Sequence, residues 1–148
     1  MTKYMKGFVK SYIATALWSS TFTLTDSNGE EQESYELDRM VDNGKATLSF
    51  SMIKKCILDC DKFIDLVDKN FMSEDAEYIL TRTGSDLDYL APHDFWLTRN
   101  YHGSGFWERF DWDDEDHGNL GEKLTEICHN DFKEVDLYVG DDGRIYYN

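Results

Sequence analysis

Every acidic residue of the chain lies at or beyond Asp26. The first 25 residues carry Lys3, Lys6 and Lys10 and no acid, so the remainder sets 30 carboxylates against 12 bases, a net of −18. Whatever fold forms must hold that charge in water while a core closes beneath it, and self-repulsion on this scale opposes compaction. Material for a core is present: 41% of the 148 residues are hydrophobic and 15% aromatic, unlike an acidic disordered segment. With one proline and no Pro/Gly/Ser-rich tract, the expected organisation is a single domain over residues 1–148, burying about two-thirds of its unfolded surface. No apolar run of about 18 residues marks a membrane span. No long apolar segment follows the basic start, so an export signal is not expected. The odd count of three cysteines, Cys56, Cys60 and Cys128, fits a reduced cytoplasm.

Periodicity predicts a helix over residues 4–18, where Phe8, Tyr12, Ile13, Ala16 and Leu17 recur near 3.6 residues. Residues 21–25 alternate as a short strand, and residues 26–36, with Asn28-Gly29, read as a surface loop or hairpin tip. The longest helix is expected over 48–69, capped by Thr47 or Ser49, with Ile53, Cys56, Ile57, Cys60, Ile64 and Val67 on one stripe. A further helix starts at Ser73 as N-cap and stops towards Gly84. Residues 94–99 and 105–112 read as two strands of a hairpin joined by a Gly-containing loop. Residues 119–131 read as a helix, and 134–139 and 144–147 as strands around the tight turn Gly140-Asp-Asp-Gly143. The fold class expected is α+β: a small antiparallel sheet of three to five strands with helices packed on one face.

Two constellations stand out. Segment 93–112 sets Phe95, Trp96, Phe106, Trp107 and Trp112 around Arg99, Asn100, His102 and Arg109. As a pocket, its aromatic walls and its Arg99, Asn100, His102, Trp107 and Arg109 mouth suit a planar or charged group. Equally, the aromatics are core and the polar residues set the loop. No nucleophile with an adjacent base accompanies His102. The second constellation is Asp111, Asp113, Asp114, Glu115 and Asp116, five carboxylates within six residues. They begin a window that ends at Glu122 and mimics a calcium loop, but Asp116 stands where that loop needs glycine. As a charge run it needs no function; with the overall charge it makes a protein-binding patch, with Asp141 and Asp142 as secondary contributors. Cys56 and Cys60 lie one helical turn apart, yet Cys128 and His129 diverge too far to complete a zinc site. No metal, no cofactor and no catalytic residue is assigned, and no P-loop, nucleophile elbow, zincin or C-x-x-C motif occurs.

Ala16-Leu-Trp-Ser-Ser20, His93-Asp-Phe-Trp-Leu-Thr-Arg-Asn100, His102-Gly-x-Gly-Phe-Trp-x-Arg109 and Val135-Asp-Leu-Tyr-Val-Gly-Asp-Asp-Gly143 together resemble a family of small acidic proteins of tailed bacteriophages, of unknown function. The chain departs from that pattern at Tyr101, where the family has glycine, and in the heavily acidic 111–116 stretch. The resemblance implies a phage origin and a location in the host cytoplasm, not a chemistry. The function expected is a phage inhibitor that binds a basic host protein, such as a restriction, CRISPR or DNA-repair enzyme, by presenting carboxylates in place of phosphates. Nucleic acid itself and anionic membranes are poor partners for this charge. The alternatives are a nucleotide-binding protein or enzyme using the 93–109 hairpin, and a structural or assembly protein.

Overall fold

A computed structural model describes residues 3–84, 88–107, 112–114 and 117–148. Helix α1 (Lys3–Trp18) opens the chain, with Phe8, Tyr12 and Ala16 buried at every fourth residue. Strands β1 (Thr21–Thr25) and β2 (Glu31–Glu36) form an antiparallel hairpin whose tip, residues 26–30, is held by Asp26 Oδ1 accepting the N–H groups of Asn28 and Glu30. The polar stretch after Asp26 is thus a turn and a return strand. A short helix α2 (Leu37–Asp42), with Leu37 and Met40 buried, and the two-residue strand β3 (Thr47–Leu48) follow. Neither is long enough to show a period in the sequence.

Helix α3 (Phe50–Asn70) matches the expected amphipathic stripe, although its centre runs through Met52, Cys56, Cys60, Phe63 and Val67, with Ile53, Ile57 and Ile64 half-buried at its margins. Ser49 is the cap: its Oγ accepts the Met52 N–H at 3.1 Å, a contact that typically contributes about 1 kcal/mol. Helix α4 (Ser73–Thr81) begins one residue earlier than expected, with Ser73 as its first helical residue and Met72 at the cap. Helix α6 (Leu120–Asp131), capped by Asn119, buries Leu120, Leu124, Ile127 and Cys128, the face read from the sequence.

The correction concerns residues 94–99. They are not a strand but most of helix α5 (Leu90–Arg99), so no 93–109 hairpin exists. Asp94, Phe95, Trp96, Leu97, Thr98 and Arg99 are all buried. A helix covered all round has no polar back, and without one the 3.6-residue period disappears from the sequence. Pro92 falls in its first turn, where the missing N–H costs nothing. Of the expected return strand 105–112, residues 105–107 are loop and Trp112 is in a helical turn, while 108–111 lie outside the described residues.

α5 is the axle of the molecule. Phe95 stacks on Phe63 of α3 at 4.5 Å and on Tyr12 of α1 at 5.1 Å, and meets Phe132 edge-on at 4.6 Å. Each such pair adds about 0.5–1.5 kcal/mol to the area it buries. The class is α+β, as expected. Strands β6 (Leu137–Val139) and β7 (Arg144–Tyr147) are antiparallel, and β3 joins β7 in parallel, giving a three-stranded mixed sheet of order β3-β7-β6. Strands β4 (Asp113–Asp114) and β5 (Gly118–Asn119) make a minimal pair just before α6. Among the described residues no helix is long and apolar enough to cross a membrane.

All three cysteines are buried thiols. Burial, then the nearby Asp59 carboxylate, pushes the Cys56 thiol up to about 12, and burial also raises Cys60 and Cys128. In the unfolded chain a thiol ionises near about 8.5. The folded state keeps its protons where the unfolded state loses them, so the contribution to stability is complete below that value and is lost as the pH climbs towards about 12. Urea midpoints measured across this range are expected to hold to about pH 8 and then fall steadily, while a thiol reagent leaves Cys56 unmodified until the chain unfolds. A flat alkaline limb would contradict this reading.

Candidate functional site

The loop after α5 starts from a helix end that normally calls for glycine. The Tyr101 N–H bonds to Thr98 O and the His102 N–H to Leu97 O, the bonding pattern of a Schellman stop. Tyr101 takes the left-handed position with φ 57°, and left-handed backbone costs a non-glycine residue about 1–2 kcal/mol. The side chain that bears this cost stacks on His129 of α6 at 4.1 Å and remains 57% exposed. A tyrosine in place of the usual glycine thus sets an aromatic ring at the surface.

The loop then returns against α5. The Phe106 N–H donates to Thr98 Oγ1 at 2.9 Å, and Phe106 inserts into the core. Trp107, next in sequence, stays 41% exposed with its ring 5.9 Å from His129. Below it lies an open concavity of about 330 Å³, lined by Phe106, Trp107, Asp113, Glu122, Thr125 and Glu126 among others. Glu122 and Glu126 stand one turn apart on the outward side of α6. Like charges at that spacing oppose the helix by a few tenths of a kcal/mol. Glu122 recovers some of this near the helix N-terminus, where its backbone N–H donates to Asn119 Oδ1 and its carboxylate accepts from Asn119 Nδ2. Glu126, deeper in the helix, has no such compensation.

No base among the described residues is paired with these acids. Among the described residues the ion pairs are Arg39–Glu36, Lys69–Asp65 and Arg99–Asp59, and the His93 and His117 rings hydrogen-bond the Asp94 and Asp75 carboxylates. Asp113, Glu122 and Glu126 are in none of them. Three lysines serve the backbone: Lys55 donates to Tyr147 O, Lys62 to Asp131 O and Lys123 to Asn70 O. Lys62 and Lys123 also lie over the Phe132 and Phe71 rings. The concavity is therefore an acidic notch with an indole wall. Its chemistry suits a guanidinium or ammonium group, which gains carboxylate contacts and the ring face together.

The two constellations read from the sequence are redistributed. Trp107 from one and Asp113 from the other meet in the notch. Arg99 does not face a ligand. It is 3% exposed, donating to Asp59 Oδ2 (2.5 Å), Tyr12 OH (3.0 Å), Tyr147 OH (2.9 Å) and Lys133 O. Burial opposes its charge, but the surrounding Tyr12, Tyr147 and Asp59 oxygens hold it above its ordinary pKa. Asn100 is also committed to the fold, donating to Trp96 O and accepting the Val135 N–H. His102 is exposed on the loop. Asp141 and Asp142 sit in the β6–β7 turn, a different element from the notch. Asp142 accepts the Tyr146 hydroxyl and the Arg144 N–H, which together hold it below the usual carboxylate range. Asp114 pairs in β4 with Gly118. Arg109, Asp111, Glu115 and Asp116 lie outside the described residues.

No protein-family model, no curated protein and no solved structure matches the chain. The site is therefore read from its own chemistry. Glu126 is the residue the sequence reading missed. Its signal is present: Glu122 and Glu126 mark the side of α6 away from Leu120, Leu124 and Ile127, beside a Phe-Trp pair whose second ring has no place in the helical stripe.

Proposed function

We propose that this protein is a phage-encoded inhibitor, acting in the host cytoplasm, that binds a basic nucleic-acid-handling host protein through carboxylates standing where phosphates would. The observation that supports this most directly is the notch, which three carboxylates without an ion-pair partner among the described residues line together with a half-exposed tryptophan. A nucleic-acid groove presents Arg and Lys side chains evolved to meet anions. Such a side chain entering the notch sets its charge between Glu122 and Glu126 and its plane against Trp107, while the wider negative field speeds the encounter. A rigid aromatic at the centre of a charged rim is how interface energy is usually concentrated.

The test uses the whole chain as bait in host extract, followed by titration of the captured protein. Its affinity is expected to fall at least tenfold from low to physiological salt, to be competed by duplex DNA, and to fall at least tenfold in the Asp113→Asn, Glu122→Gln, Glu126→Gln variant. Salt-independent binding, or a captured protein that DNA does not displace, would overturn the proposal.

A further inference from the structure

The β1–β2 hairpin is one strand short of what an isolated sheet needs, since two strands alone are marginal in water. Its register shows what is left open. The Leu37 N–H bonds to Ser20 O, and the pairs Phe22–Tyr35 and Leu24–Glu33 follow in phase. In an antiparallel ladder bonded pairs alternate with non-bonded ones, so Thr21 and Thr23 of β1 and Ser34 of β2 turn both N–H and C=O outward, while Glu36, the N-cap of α2, turns out its N–H alone because its C=O accepts the first bond of the helix. The Thr23 and Ser34 hydroxyls meet at 2.9 Å, as expected of a close, non-bonded pair. Among the described residues neither outer edge is paired with another strand.

The two edges differ in charge. β1 is Thr-Phe-Thr-Leu-Thr, and β2 carries Glu31, Glu33 and Glu36. Glu33 shares a face with Tyr35. The bulge that sets Glu31 opposite Thr25 puts Glu31 on the other face with Ser34 and Glu36. Both faces of the β2 edge therefore present glutamate, and all of β2 except Tyr35 is exposed. No base occurs between Lys10 and Arg39, and of the three glutamates only Glu36 has an ion pair among the described residues, with Arg39 at 3.5 Å. A second copy of β2 is a poor partner, because it would bring three more glutamates to an edge that already carries three.

We infer that the β2 edge takes an extended Lys/Arg-rich segment of a partner protein as a third strand, pairing with the Ser34 N–H and C=O and the Glu36 N–H, with cations beside Glu31, Glu33 and Glu36. Main-chain bonds supply the geometry of such strand addition and the flanking side chains the selectivity. The inference shares with the proposed function only the premise of a cationic partner. It concerns a different element, so the Asp113/Glu122/Glu126 variant and the following experiment can fail separately.

The probe is a nine-residue peptide of five arginines and four threonines, titrated into the full chain at low salt and followed by backbone amide resonances. The expected result is saturable binding with the largest shifts along β2. The same peptide N-methylated at alternate residues keeps its charge but loses its donors, and is expected to bind at least tenfold more weakly. Ser34→Pro removes the outward N–H while sparing the Phe22–Tyr35 and Leu24–Glu33 bonds, and is expected to weaken the parent peptide to the same degree. Ser34→Ala, which loses only the hydroxyl, is expected to bind within twofold of the unsubstituted chain. No saturable binding by the parent peptide, or equal binding by the N-methylated peptide to the unsubstituted chain, overturns the inference whether or not Ser34→Pro folds.

Discussion

Arg99→Ala is expected to lower folding stability by about 3–5 kcal/mol, a large part of the roughly 5–15 kcal/mol a domain of this size has. The guanidinium is the hub of a buried cluster. It satisfies the Lys133 carbonyl through two donors, bonds the Tyr12 and Tyr147 hydroxyls and Asp59, and lies 5.2 Å from the Phe132 ring and 5.5 Å from the Phe95 ring. Alanine leaves the carboxylate and the carbonyl behind without their cation and opens a cavity among three rings. Arg99→Lys is expected to recover only part of the loss, because one ammonium cannot serve Lys133 O and Asp59 in the same planar arrangement. Replacing Arg99 and Asp59 together with Met and Leu is expected to recover more than either single change, since the unpaired charge disappears. Urea unfolding of the four chains checks this. An Arg99→Ala loss below about 1 kcal/mol would show the cluster to be energetically idle.

Gly105→Ala is the second large effect. A Cβ at this position would stand 2.2 Å from Thr98 Oγ1 and 3.2 Å from the Thr98 backbone nitrogen. The loop must then lift from α5, breaking the Phe106 N–H to Thr98 Oγ1 bond and withdrawing Phe106 from its edge-on contact with Trp112 at 5.3 Å. A loss of about 2–3 kcal/mol is expected from overpacking, with a change in tryptophan fluorescence as Trp107 and Trp112 shift. Gly84→Ala is the control. Its nearest neighbour to an added Cβ is 3.9 Å away and its φ is ordinary, so it is expected to be close to neutral. The close backbone approach that glycine permits at 105 is to the chain's own central helix.

What the sequence makes legible depends on exposure. α1, α3 and α6 each have a wet side and a dry side, and their stripes are visible in the residue spacing. The β6–β7 hairpin announces itself through Gly140-Asp-Asp-Gly143. α5 is hidden because the same six residues that make it the centre of the core remove the contrast that periodicity needs. Arg99 follows from that: in a hairpin it would line a mouth, while on a helix closed on all sides it has to be satisfied internally, by Tyr12 from the start of the chain and Tyr147 from the end. β3 is hidden for another reason, its pairing with β7 being parallel and separated by almost a hundred residues. The acidic character of the surface is plain in composition alone. That Trp107 and Asp113 converge with Glu122 and Glu126 is a tertiary fact, carried by the packing of the loop against α6, where a Cβ on Gly121 would come within 2.7 Å of Phe106 O.

The place of β7 in the sheet bears on the order of assembly. It lies between β3 and β6 and brings Tyr147 to the Arg99 cluster, so the last of the sheet's three strands in sequence is its keystone rather than a fringe. Until residue 147 has emerged, β3 and β6 have nothing to pair with and the cluster lacks one of its hydroxyls. The helices made earlier are therefore expected to consolidate once β7 is available, in a late step rather than gradually along the nascent chain.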